Sequence, residues 1–359
     1  ARAARATRGG WLRGVAAANA SARFLRTLAI AAGGVALFHA LDLPLPFLLG
    51  PLAACLAAAL AGASLEGPAR GAYAMRTVLG LAAGASVTPA MVERLGDFLL
   101  SVALVPLFLV AAGAVGVPFF RRVCRFDAPT AYYAAMPGGL QDMVVFGTEA
   151  GGSARTLSLV HATRVGVLVA VLPAMLTLIW GRTLDALPGV PALTLPPDQA
   201  LWMLVAAVAG TLAALRLGLF GAPILGPLAV AAGLSLGGVL AHRPPAEAIL
   251  AAQFLIGTML ATAYVGITPD ELRRTVLAAL GYCAILALLS LVAAEIAHLA
   301  GVPGIDAALA FAPGGQAEML VLALVVGADA AYVAAIHLWR LILVITGAPL
   351  VRAWIERRG

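Results

Sequence analysis

From Phe98 to Val117 twenty residues pass without a charge. About 20 helical residues cross a hydrocarbon core roughly 30 Å thick, so this run reads as a membrane span. Further apolar segments fall at about 28–41, 46–62, 72–87 and 156–180, and then at 201–215, 222–241, 248–266, 276–298 and 331–351. Two more, 127–150 and 306–328, are interrupted. With 62% hydrophobic and 11% charged residues and a mean hydropathy of +0.99, the chain carries less than half the charge of a soluble domain, about 25%. A soluble enzyme, a soluble regulator and a disordered chain are excluded. The lipid bilayer is the expected surrounding.

All 23 basic residues are Arg, against 17 acidic ones. A soluble protein with that balance would suggest nucleic acid; in a membrane protein, cytoplasmic loops collect basic residues and fix orientation. No nucleic-acid partner is therefore expected. Residues 1–26 hold Arg at 2, 5, 8, 13, 23 and 26 and no acid. The apolar stretch behind them ends in Asp42-Leu43-Pro44 instead of a small-residue cleavage site, which favours an uncleaved first span over a signal peptide. Cys55, Cys124 and Cys283 are too scattered for a disulfide framework. The histidines at 39, 161, 242, 298 and 337 do not cluster. Neither a metal, a cofactor nor an enzymatic activity is expected.

The two halves of the chain repeat. Met136-Pro137-Gly138-Gly139-Leu140-Gln141-Asp142-Met143 faces Ala312-Pro313-Gly314-Gly315-Gln316-Ala317-Glu318-Met319 at a shift of 176. His161 and Arg164 face His337 and Arg340, and Leu49-Gly50-Pro51 faces Leu225-Gly226-Pro227, at the same shift. Thr88-Pro89 matches Thr268-Pro269 four residues out of step; Thr as N-cap and Pro at the first helical position make these helix starts. The Leu-Gly-Pro pair is open to two readings, a second backbone break or close helix packing. The resulting organisation is a basic cytoplasmic segment 1–26, membrane repeat 27–181, a Pro-rich linker 182–200, membrane repeat 201–351 and a basic cytoplasmic tail 352–359.

Orientation follows from the loops. Arg121-Arg122-Val123-Cys124-Arg125 precedes the first Pro-Gly-Gly, whereas Leu299 to Ile305 before the second carries no basic residue. The first loop is thus assigned to the cytoplasm and the second to the other face. An odd number of crossings per half satisfies both. The expected fold is an all-α polytopic membrane protein of two inverted-topology repeats, each of about five spans plus one interrupted or re-entrant element. Many secondary transporters share that plan.

Pro costs about 3 kcal/mol and Gly about 1 kcal/mol relative to Ala inside a helix. Irregular backbone at membrane depth persists only where it is buried in protein or lines a wet cavity. Pro137, Gly138, Gly139, Pro313, Gly314 and Gly315 are therefore candidate site residues, as are the polar neighbours Gln141, Asp142, Gln316 and Glu318. Arg164 lies roughly 16 Å, and Arg340 about 15 Å, along helices that start near Ser153 and Ala330, hence near mid-bilayer. Arg at that depth faces the protein interior or a cavity. His161 and His337 share a helix face with them, three residues away. Two uses are compatible with this set. Asp142–Arg164 and Glu318–Arg340 could be buried ion pairs that lock the halves, or the arginines could engage an anionic solute while carboxylates or histidines carry protons.

With its two Pro-Gly-Gly blocks, each followed by a His-x-x-Arg helix, the chain resembles the AbrB family of duplicated bacterial membrane proteins along residues 28–355. It departs in Gln141-Asp142, where Ser-Glu is common, and in Arg76, near where the second half has Gln253. The resemblance implies a bacterial cytoplasmic (inner) membrane protein. It also brings the labels ammonia monooxygenase and regulator of gene expression. A monooxygenase needs clustered metal ligands, which this chain lacks. The expectation is a secondary transporter of a small anionic solute, coupled to protons or a cation and able to form a homo-oligomer. The alternative is a membrane sensor acting indirectly on gene expression.

Overall fold

The computed structural model describes residues 2–356 apart from 90–92, 94, 182–183, 185–188 and 220–221; of 2–20, 69–70, 72–73, 95, 97, 141–142, 345 and 348–356 it describes the course of the chain alone. Parts of the 182–200 linker, and Arg357 and Arg358 of the basic tail, lie outside the described residues. Among those described the chain is helical, without a strand.

The helices run α1 (Arg2–Ala40), α2 (Pro46–Leu60), α3 (Ala69–Gly84), α4 (Leu99–Val123), α5 (Ala128–Ala135), α6 (Leu140–Glu149) and α7 (Ala154–Trp180). They continue as α8 (Pro197–Arg216), α9 (Ala222–Leu236), α10 (Ala246–Thr262), α11 (Pro269–Leu299), α12 (Gly304–Phe311), α13 (Gln316–Val326) and α14 (Ala330–Glu356). Among the described residues, five segments are long and apolar enough to cross a bilayer: Ser21–Ala40 and helices α4, α7, α8 and α11. About ten full crossings were expected. Helices α2, α9 and α10 are shorter, of 15, 15 and 17 residues, which is about 22–26 Å of rise.

The chain divides into two compact units. The first comprises residues 1–72 and 254–267. Helices α1 and α2 pack so closely that a Cβ on Gly34 would overlap the Gly50 backbone, and a Cβ on Gly50 would come within 2.6 Å of the Gly34 carbonyl oxygen. The Leu-Gly-Pro pair is thus a packing device, since Pro51 sits inside an unbroken helix. Gly257 meets the Leu48 carbonyl in the same way. Arg23 pairs with Glu66 at 3.2 Å, and the Glu66 N–H donates to Thr27 Oγ1 at 2.9 Å.

The second unit holds residues 73–253 and 268–359. Helices α8 and α9 repeat the glycine contact at Gly210 and Gly226, and Gly80 of α3 meets the Ile224 carbonyl. Helix α11 begins with a full capping box: Thr268 Oγ1 accepts from the Glu271 N–H at 3.2 Å, and Glu271 Oε2 from the Thr268 N–H at 2.9 Å. The matching Thr88-Pro89 start runs into residues outside those described. Leu107 is 65% and Val110 70% exposed on α4, and Leu204 and Leu288 project similarly from α8 and α11. Exposing such side chains to water would forgo about 1.5–3 kcal/mol each; hydrocarbon imposes no such loss. Helix α13 is the opposite case, buried from Ala317 to Val326, as a helix apolar all round must be.

Candidate functional site

Each interrupted element is a hairpin of two short helices. Asp127 caps α5, its Oδ1 accepting from the Thr130 N–H at 2.9 Å, and Thr130 Oγ1 then accepts from the Ser153 N–H at 2.8 Å. Ser153 is the N-cap of α7, beyond the second arm. The entrance of α5 and the exit of α6 are therefore held together, and the chain between them goes in and returns. The second hairpin is latched at the equivalent positions, with the Asp329 N–H donating to Asp306 Oδ1 at 2.9 Å. Arms of 8 and 10 residues, and of 8 and 11, place both tips about 12–16 Å from their latches.

At the tips the backbone leaves the helix. Met136 (ψ 127°) and Gly139 (ψ 140°) are extended, as are Ala312 (ψ 133°) and Gly315 (ψ 148°). Carbonyls freed there need donors, because a buried polar backbone group left unpaired is costly. Pro137 and Pro313 have no N–H to satisfy. The donors come from the next helix. Arg164 Nη1 donates to the Met136 carbonyl at 3.1 Å and Nη2 to that of Gly138 at 2.6 Å. Arg340 does the same to Ala312 at 2.8 Å and Gly314 at 2.9 Å. A planar guanidinium offers the two parallel donors this needs, and a lysine would not. The glycines are required by what covers them. A Cβ on Gly138 or Gly314 would lie 2.6 Å from the Met143 or Met319 side chain, and one on Gly315 would overlap the Glu318 carboxylate.

Arg164 and Arg340 are 2% and 4% exposed, and their surroundings differ. His337 Nε2 lies 3.0 Å from the Leu309 carbonyl, so that nitrogen carries the proton and Nδ1 accepts from Arg340 Nη2 at 2.9 Å. In the first half the Tyr133 carbonyl acts on buried His161 as the Leu309 carbonyl does on His337, but Arg164 closes no hydrogen bond to the ring and its Nε has no partner. Gln316 Nε2 at the start of α13 is another buried donor without an acceptor. Helix α13 packs on α7. Arg164 lies in the field of both Glu318 and Arg340, and Glu318 in that of Arg76. Two like guanidinium charges thus sit near one another, with unused N–H groups beside them.

Of the residues singled out by sequence, Pro137, Gly138, His161, Arg164, Pro313, Gly314, Gly315, Gln316, Glu318, His337 and Arg340 lie at or beside the two tips. Gly139 is the N-cap of α6. The side chains of Gln141 and Asp142 lie outside those described, so the Asp142–Arg164 pair does too. The Glu318–Arg340 ion pair is not formed. Arg340 is filled by two carbonyls and a histidine, and the Glu318 carboxylate folds back over Gly315 instead. Sequence reasoning passed over Tyr282, whose hydroxyl lies 2.8 Å from the carbonyls of Ala112 and Ala135 and fastens the first hairpin to α11. It also left Arg76 out of the site, although an Arg in an apolar helix was itself a signal.

The family model described as Transition state regulatory protein AbrB matches residues 47–356. The chain is 27% identical over 289 residues to the uncharacterized protein YhjN of Bacillus subtilis (strain 168), covering 76% of this chain and 75% of that one. It is 24% identical over 324 residues to an Escherichia coli (strain K12) protein named as a candidate regulator, AbrB, covering 89% and 92%. No solved structure matches the chain significantly. Helices of this length and apolarity, in this family, make an integral membrane protein.

Proposed function

The chain belongs to the AbrB family, and from that premise we propose that it is a secondary transporter of a small solute bearing an anionic group. In this reading the halves are inverted repeats in the bacterial cytoplasmic membrane, with both termini on the cytoplasmic side, and alternating access exposes the hairpin tips to each face in turn. One observation carries the proposal: two buried arginines, one from each half, hold the broken tips of two hairpins within each other's field. Broken helices that meet at mid-membrane are where transporters place substrate and coupling ions. The solute's anionic group would take the unused Arg164 Nε–H and the Gln316 amide. Glu318 is the first candidate proton carrier, because its carboxylate competes with that group for the same positive field. No catalytic step is assigned.

The test is flux into liposomes containing only the purified chain, with radiolabelled mono- and dicarboxylates, amino acids and inorganic phosphate as solutes. Saturable uptake is expected, reduced more than tenfold in Glu318→Gln while detergent-solubilised protein melts as before. A sensor of solutes, which the relative's name as a regulator favours, would bind a solute without moving it.

A further inference from the structure

A second polar region lies at the latch of the second hairpin, away from its tip. A cavity of about 350 Å³ opens there, lined by Ser86, Thr88, Arg243, Asp306, Asp329 and Ala330, all within the second unit. It is large enough for a small metabolite. Its two carboxylates already serve the fold. Asp306 accepts the Asp329 N–H, and Asp329 caps α14 by accepting from the Ala331 and Tyr332 N–H groups at 3.1 and 2.9 Å.

Arg243 is different. It is half-buried and acts electrostatically on Asp329, yet among the described residues it closes neither an ion pair nor a hydrogen bond. Burial lowers the Arg243 guanidinium from its ordinary range and Asp329 acts against that. Opposite charges that face one cavity without meeting are complementary to a molecule carrying both charges.

We propose that this cavity binds a small zwitterionic solute of the α-amino acid class, its carboxylate on Arg243 and its ammonium on Asp329. An anion alone would leave Asp329 repelling it, and an amine alone would meet Arg243. The Ser86 and Thr88 hydroxyls line the same wall. Helix α12 carries Asp306 in its first turn and ends at the tip with Phe311, eight residues in all, or about 12 Å. The cavity is therefore an outer station on the approach to the central site. Its occupancy does not rest on the transport reading; only onward movement of the occupant does.

Calorimetry on the full chain in detergent tests this, with the common amino acids, acetate and methylamine as probes. At least one amino acid is expected to bind tenfold or more tightly than acetate and methylamine. Arg243→Gln and Asp329→Asn should each weaken it at least tenfold. The Asn variant keeps an oxygen for the α14 cap, so its melting temperature reports whether the fold has survived. Acetate binding as tightly as the best amino acid, unchanged binding in Arg243→Gln, or no binding by any amino acid would overturn the proposal. Amino acid binding with no flux of any solute would overturn the transport reading alone.

Discussion

The two hairpin tips are built alike and finished differently. Arg164 and Arg340 each donate to the same pair of freed carbonyls, 28 and 26 residues earlier in the chain. Only the second is completed. His337 is fixed by the Leu309 carbonyl and in turn accepts from Arg340, whereas His161, opposite the Tyr133 carbonyl, takes no hydrogen bond from Arg164, and Arg164 Nε stays without a partner. A buried polar group left unpaired costs about 1–3 kcal/mol, so the first half retains an unfavourable term that the second has removed. The difference separates a structural clamp from one that holds capacity in reserve. Under the transporter reading, the second tip is the fixed wall of the site and the first supplies its open valence.

The largest effect expected from breaking this comparison falls on the arginines. Arg340→Ala removes its bonds to Ala312, Gly314 and His337 and strands two carbonyls. It should cost about 3–5 kcal/mol, read as a large fall in melting temperature, with no flux. Arg164→Ala should abolish flux as completely but cost about 1 kcal/mol less, having no histidine bond to lose. Equal or reversed losses of stability would erase the distinction between the tips.

The histidines come next. His337→Leu deletes a hydrogen bond to a charged group, worth about 1.5–3 kcal/mol. His161→Leu deletes no bond to its arginine, only the interaction with the Tyr133 carbonyl, and should cost less than His337→Leu in the same melting experiment, while changing the flux. An equal or larger loss for His161→Leu would show that Arg164 is bonded to its ring as Arg340 is to that of His337. Smallest are the glycines. Gly138→Ala and Gly314→Ala push on the Met143 and Met319 side chains from Cγ to the terminal methyl. Each should cost about 1 kcal/mol and the two should agree, since this contact is common to both tips.

Much of the frame was legible in the sequence. Pro-Gly-Gly in an apolar segment marks a break wherever it occurs, and its recurrence at a shift of 176 marked two. The depth of Arg164 and Arg340 followed from helical rise alone. What the arginines bind did not. Sequence displays the charges of Asp142 and Glu318 but not the backbone oxygens that a break sets free, and for Arg340 those oxygens took the place of the expected carboxylate. The latches were hidden for a related reason: Thr130–Ser153 and Asp306–Asp329 are caps joined across 23 residues by a single N–H. Leu-Gly-Pro allowed a break or a close contact. Proline at 51 and 227 stays within a helix because the neighbouring glycine, not an interruption, was what the packing required.

Alternating access through these tips requires that the two hairpins enter the membrane from opposite faces. Val123→Cys and Ala300→Cys, each exposed just before its hairpin, placed singly in a chain with Cys55, Cys124 and Cys283 replaced, allow a membrane-impermeant maleimide to report the face directly in intact cells. Labelling at 300 with protection at 123, reversed in inside-out vesicles, is the expected result. Both positions reacting from one side would mean that the halves lie parallel, and the proposed transport site would have no second face to open to.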